Sequence, residues 1–240
     1  MMDLIIDQKY KVSMRDCDLA GSMRPSAMLG LFQDGSGLVL EKLGMAVRPM
    51  AERGLLWVVA RMNCAIRRAP LCEEVIRWLV WPEKPKLGML PWQYRLETAG
   101  GELLVSATAV WVMVDAKSRS MLSERIPRLS FEAPESPAAC MPHAKGLGKM
   151  PELTRRTGRT VLYSETDMNG HLTNTRYLDW AMDLPPAAYP RTHCVSSFSV
   201  DFRAECPLES EISIQWDLRD NTLWCRAGNH FDIRMDFSAK

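Results

Sequence analysis

Residues 161–183 read VLYSETDMNGHLTNTRYLDWAMD, and residues 12–34 read VSMRDCDLAGSMRPSAMLGLFQD. The two stretches align without gaps. Val12 falls on Val161, Asp18 on Asp167, Gly21 on Gly170, Leu29 on Leu178 and Asp34 on Asp183. In both, a turn-forming Asp and Gly precede an apolar-periodic run, which is the signature of a turn that feeds a helix. A Pro-Leu break follows in each half: Arg67-Arg68-Ala69-Pro70-Leu71, then Arg203-Ala204-Glu205-Cys206-Pro207-Leu208. Aligning the breaks on their prolines sets Pro70 on Pro207, Arg68 on Glu205 and Ala69 on Cys206. One structural unit is therefore expected twice.

Between the copies, residues 128–149 carry Pro134, Pro137, Pro142, Gly146 and Gly148 and few periodic apolar residues. Proline and glycine at that density predict a linker. The expected units are residues 1–127 and 150–240. Helices are predicted at about 26–43 and 174–184. Strands are predicted at about 4–14, 55–67, 73–81, 89–98 and 102–114, and at about 158–164, 195–205, 210–218, 222–228 and 230–238. Gly100-Gly101, Asp220-Asn221 and Gly228-Asn229 supply short turns, and such turns join antiparallel neighbours. The fold class is α+β, with a sheet wrapped around a central helix in each unit. Gly30, Gly35 and Gly37 each cost the first helix roughly 1 kcal/mol, so close approach of the sheet is expected there.

Composition narrows function. The chain has 240 residues, 47% of them hydrophobic, and a net charge of +1. That is enough apolar material for a core, and it lacks the basic excess of a nucleic-acid binder. No run approaches the roughly 18 apolar residues of a membrane span. Seven cysteines occur without a CxxC pair, which suits free thiols in a reducing compartment and argues against zinc or a disulfide framework. The chain begins directly on an expected strand, with no leader, so a cytoplasmic location is expected.

The chemistry concentrates in Asp167, Asn169 and His171. These alternate just before the second helix, and in an extended turn alternate residues face one side. The helix start adds free backbone N–H groups and the positive end of a dipole, a suitable environment for a developing oxyanion. A capping role alone would explain an Asp or Asn at a helix start. The first copy, however, carries Asp18, Ala20 and Ser22 at these positions. It keeps the structural residues and lacks the reactive ones, so one active copy and one degenerate, pocket-shaping copy are expected.

The pattern DxNGHxxNxxYLDW (Asp167, Asn169-Gly170-His171, Asn174, Tyr177-Leu178-Asp179-Trp180) resembles the hot-dog thioesterases. With the tandem repeat and the FRAEC segment, Phe202 to Cys206, the chain is similar to the acyl-acyl carrier protein thioesterases of plant plastids and bacteria. The resemblance implies two fused hot-dog units and hydrolysis of fatty acyl thioesters on acyl carrier protein; no cofactor is expected, and the lack of a ligand-spaced His or Cys cluster argues against a metal. The resemblance also implies a site made of Asp167, Asn169, His171, Glu205 and Cys206.

Two mechanisms fit these residues. In one, Glu205 activates a water, with Asp167 orienting Asn169 and His171. In the other, Cys206 attacks, with His171 as its base. Adjacent residues on a strand point to opposite faces, so one of the two enters the site. Glu205 is preferred, because a buried free cysteine is ordinary and a glutamate facing a pocket is not. The basic clusters Arg67-Arg68, Lys84 with Lys86, and Arg155-Arg156 with Arg159 are candidate contacts for an acidic carrier protein. An acyl-coenzyme A thioesterase, a hot-dog hydratase or dehydratase, and a non-catalytic acyl-binding protein are the alternatives. A monomer with an internal pseudo-dimer and a homodimer both fit.

Overall fold

The computed structural model describes residues 3–86, 88–122 and 131–240; the unit boundary expected at 127/128 lies outside the described residues. The first half runs β1 (Ile6–Lys11), α1 (Pro25–Lys42), α2 (Val47–Glu52), β2 (Leu55–Ile66), β3 (Val75–Pro82), β4 (Met89–Thr98) and β5 (Leu103–Asp115). The second runs β6 (Arg155–Thr160), α3 (Asn174–Met182), α4 (Tyr189–Thr192), β7 (His193–Phe202), β8 (Glu211–Arg219), β9 (Thr222–Ala227) and β10 (Phe231–Ala239). The two short helices, α2 and α4, are too brief to leave a periodic signal in the sequence.

Period-two burial builds the sheet. Along β2, Met62, Cys64 and Ile66 are buried while Arg61, Asn63 and Ala65 are only partly covered, the alternation of a strand with one face on a core. The ten strands of the described residues join one antiparallel sheet in the order β1-β3-β4-β5-β2-β7-β10-β9-β8-β6. Read outward from the centre, each half repeats the same strand order. The halves meet where β2 pairs β7, with Arg61 opposite Asp201 and Cys64 opposite Phe198.

Helix α1 packs on the first half of the sheet. Phe32 stacks on Tyr94 with ring centroids 4.8 Å apart, and Ser36 Oγ lies 2.9 Å from Tyr94 Oη. Met28, Leu29, Phe32 and Val39 are fully buried, and each such side chain contributes roughly 1.5–3 kcal/mol by leaving water. Close approach explains one helix glycine. A Cβ on Gly35 would stand 2.5 Å from Val80 Cγ2 and 2.8 Å from Trp78 Cζ3. Gly30 makes only ordinary contact with Thr175 of α3, and nothing approaches Gly37. The sheet therefore requires glycine at Gly35 alone of the three. One apolar core runs through both halves. No helix of the described residues is long and apolar enough to cross a membrane.

The two Pro-Leu breaks are equivalent in space, one residue out of the register that the prolines suggest. Met23 N donates to Pro70 O, and Leu172 N donates to Cys206 O, each at 2.8 Å. Ser22 bridges Leu71 as His171 bridges Pro207. Pro70 thus occupies the place of Cys206, and Ala69 that of Glu205.

Candidate active site

The turn at Asp167 is a tight hairpin tip rather than an extended segment. Thr166 bridges Leu172, Asp167 N donates to His171 O at 2.8 Å, and Gly170 N donates to Asp167 O at 3.1 Å. Gly170 sits at φ +78, the left-handed region that glycine enters without a Cβ clash. The Asp167 carboxylate is occupied locally. Its Oδ1 accepts from Asn169 N at 2.8 Å and from His171 N at 3.4 Å, and its Oδ2 lies 3.5 Å from Asn169 Nδ2. Asp167 therefore shapes the turn that presents Asn169 and His171. Asp18 does the same in the first copy, accepting from Ala20 N at 2.8 Å and Ser22 N at 3.0 Å.

A second segment comes alongside. Leu208 N donates to Gly170 O at 3.0 Å. The Glu205 carbonyl accepts from His230 Nδ1 at 2.8 Å, and Arg203 binds Asp232, a fully buried carboxylate that also takes two bonds from Arg226. So held, Glu205 places Oε2 3.2 Å from His171 Nε2. Its Oε1 accepts from Arg119 Nη1 at 2.9 Å. Arg119 and His230 carry no sequence signal for this role.

Cys206 does not line the cavity that Glu205 borders. It is fully buried, and burial pushes its thiol above the ordinary value against the opposing effect of the neighbouring Tyr177 hydroxyl. Asp167, Asn169, His171 and Glu205 line a cavity of about 540 Å³, which Cys206 does not reach. The wall opposite is apolar: Leu56, Val58 and Val59 of β2, Val112 and Val114 of β5, and Val47 of α2. The first half thus supplies the hydrophobic side and the second half the polar end. Asn174, at the first turn of α3, also borders it. A larger cavity, about 850 Å³, opens beside Asp18 and Ala20 of the first-copy turn and is walled by Trp180 and Asp183 of the second half; Ser22 and Ala69, the first-copy counterparts of His171 and Glu205, do not line it. Three residues of the basic clusters have partners within the chain. Arg68 forms a two-bond pair with Glu74, while Arg155 and Arg159 stack over Trp216 and Trp180.

Comparison with known proteins places this geometry. The chain superimposes on 12:0-ACP thioesterase from Umbellularia californica with a TM-score of 0.82, at 17% identity, covering 100% of this chain and 99% of the other. An acyl-ACP thioesterase from Bacteroides thetaiotaomicron gives 0.78 at 18% identity, with 98% of each chain covered. These likenesses define the fold as α+β, two tandem hot-dog units. Sequence profiles of the acyl-ACP thioesterase N-terminal and C-terminal domains match residues 3–127 and 149–235. The chain belongs to the acyl-ACP thioesterase family. A palmitoyl-acyl carrier protein thioesterase, chloroplastic, of Cuphea hookeriana is 30% identical over 190 residues, 75% of this chain and 43% of its own length. An oleoyl-acyl carrier protein thioesterase, chloroplastic, of Coriandrum sativum is 28% identical over 183 residues, 68% of this chain and 47% of its own. The chain spans less than half the length of these curated relatives.

Proposed function

We propose that the chain hydrolyses fatty acyl thioesters of acyl carrier protein, releasing a free fatty acid and the carrier thiol. The observation that carries this reading is the Glu205–His171 pair, 3.2 Å apart, at the mouth of a cavity with an apolar wall. The carrier-protein relatives support the choice of thioester.

The chemistry follows from the groups present. The acyl chain lies on the apolar wall and the thioester carbonyl at the polar end. The Asn169 amide, oriented by Asp167, donates to the carbonyl oxygen as it gains charge. Glu205 takes a proton from a water as that water attacks the carbonyl carbon. The tetrahedral intermediate collapses, the C–S bond breaks, and the proton held between Glu205 and His171 passes to the departing sulfur. Cys206 has no part in this scheme, since its thiol is fully buried and that burial raises its pKa, which disfavours the thiolate. Asp167, Asn169, His171 and Glu205 are the proposed site. An odd number of cysteines without a CxxC pair suits a reducing compartment, and we place the protein in the cytoplasm.

Free-thiol release from a panel of acyl-carrier-protein thioesters, beside coenzyme A thioesters of the same acyl chain, tests the reading. Turnover of the carrier thioesters, lost in His171→Ala, supports it. Folded protein that cleaves no thioester overturns it, and a preference for coenzyme A thioesters reassigns the substrate.

A further inference from the structure

The hairpin that follows β5 holds its last residue in an unusual conformation. Asp115 Oδ1 accepts from Lys117 N at 3.0 Å and Ser118 N at 2.8 Å. Arg119 N donates to Asp115 O at 2.9 Å, and Asp115 N donates to Ser120 O at 3.0 Å. This closes the turn with Arg119 at φ +56. Left-handed backbone at the end of a hairpin loop is a glycine position, and a long side chain there carries strain. Strained residues of this kind concentrate where a side chain has a task.

The side chain leaves its own unit. It crosses the cavity mouth to the second unit and binds Glu205 Oε1 at 2.9 Å, while Oε2 stays 3.2 Å from His171. Each carboxylate oxygen has one partner, and among the described residues no other side chain donates to this carboxylate. Glu205 is 38% exposed. Packing alone does not fix a side chain that open, whereas a guanidinium bond on one oxygen limits its rotamers and aims the other oxygen.

We propose that Arg119 is a positioning residue for Glu205, contributed by the catalytically degenerate unit to the site of the other. The inference rests on the hydrolytic reading above. On it, the first unit supplies the charge that sets the base, besides the apolar wall.

The test is Arg119→Gly, which removes the side chain and relieves the strained backbone together. The protein keeps or gains melting temperature. With acyl-carrier-protein thioester, kcat falls about tenfold or more while KM stays within about threefold, the pattern of a lost transition-state arrangement. Arg119→Lys restores much of the rate. In single turnovers with enzyme in excess, Arg119→Gly has no further effect in a Glu205→Ala background, since residues acting through one group are not additive. Retention of kcat within about twofold, a defect confined to KM, or a further loss in the Glu205→Ala background each overturns the assignment. A wild-type protein that cleaves no carrier thioester overturns the functional reading itself, and this inference with it, so the two failures are distinct.

Discussion

Glu205 and Cys206 are bonded neighbours in opposite environments. The Glu205 carboxylate stands 3.2 Å from His171 at the cavity mouth, whereas Cys206 is fully buried, and that burial raises the pKa of its thiol. One step along the chain thus separates a partly exposed carboxylate from a fully buried thiol.

Thiol chemistry reads this difference directly. A thiolate is the reactive form, and both burial and a raised pKa suppress it. Iodoacetamide should therefore label the exposed Cys140 and Cys194 in the native protein while Cys206 reacts only on unfolding. Mass spectrometry of time points, alongside activity, checks this. Rapid inactivation that tracks Cys206 labelling would contradict it.

The two equivalent aspartates should separate structure from chemistry. Asp18 and Asp167 both accept backbone N–H bonds across their turns. Asp18→Ala and Asp167→Ala should each lose about 0.5–1.5 kcal/mol of stability, the usual worth of such a bond. Only Asp167→Ala should also lose thioester turnover, by at least about tenfold. Equal losses of turnover would show that the first-copy turn is not degenerate.

Helix α1 offers a packing test. Gly35→Ala drives a methyl to within 2.5 Å of Val80 Cγ2, and overpacking of this kind costs roughly 1–3 kcal/mol. Gly37→Ala meets nothing within 4 Å and should gain about 0.5–1 kcal/mol from helix propensity. Urea denaturation distinguishes the two, and the same sign for both would refute the packing account.

Acid sensitivity should involve Asp236. Burial opposes its ionisation. Hydrogen bonds from Ser197 and Thr222, with the Arg234 guanidinium, outweigh that and hold its carboxyl below the ordinary value. A carboxyl depressed on folding contributes stability in full above its unfolded value of about 3.9 and loses it as pH falls toward the folded one. Asp236→Asn should be less stable than wild type at pH 7, and the gap should narrow below about pH 4. A gap that stays constant from neutral pH to acid would count against this role.

Much of this was legible in the sequence because the signals are local. β-forming residues such as Trp57 and Val59 and the turn signals Asp220-Asn221 and Gly228-Asn229 mark strands and hairpins wherever they occur. The Asp167–His171 turn is visible because its residues are contiguous and their first-copy counterparts differ. The register of the Pro-Leu breaks was not legible, since Pro70 and Pro207 are alike as residues yet occupy adjacent structural positions; only the bonds from Met23 and Leu172 set them apart. Nor was Arg119, whose contact with Glu205 joins residues 86 apart through a left-handed backbone that nothing in the local sequence announces.

The most direct test of the account is turnover of an acyl-carrier-protein thioester by Glu205→Ala beside Cys206→Ala, both verified as folded. The account predicts that Glu205→Ala loses kcat by about 10²–10⁴, the usual range for a general base, while Cys206→Ala stays within a few-fold of wild type. A Cys206→Ala protein without activity, beside a Glu205→Ala protein that retains it, would contradict the account and make the thiol the nucleophile.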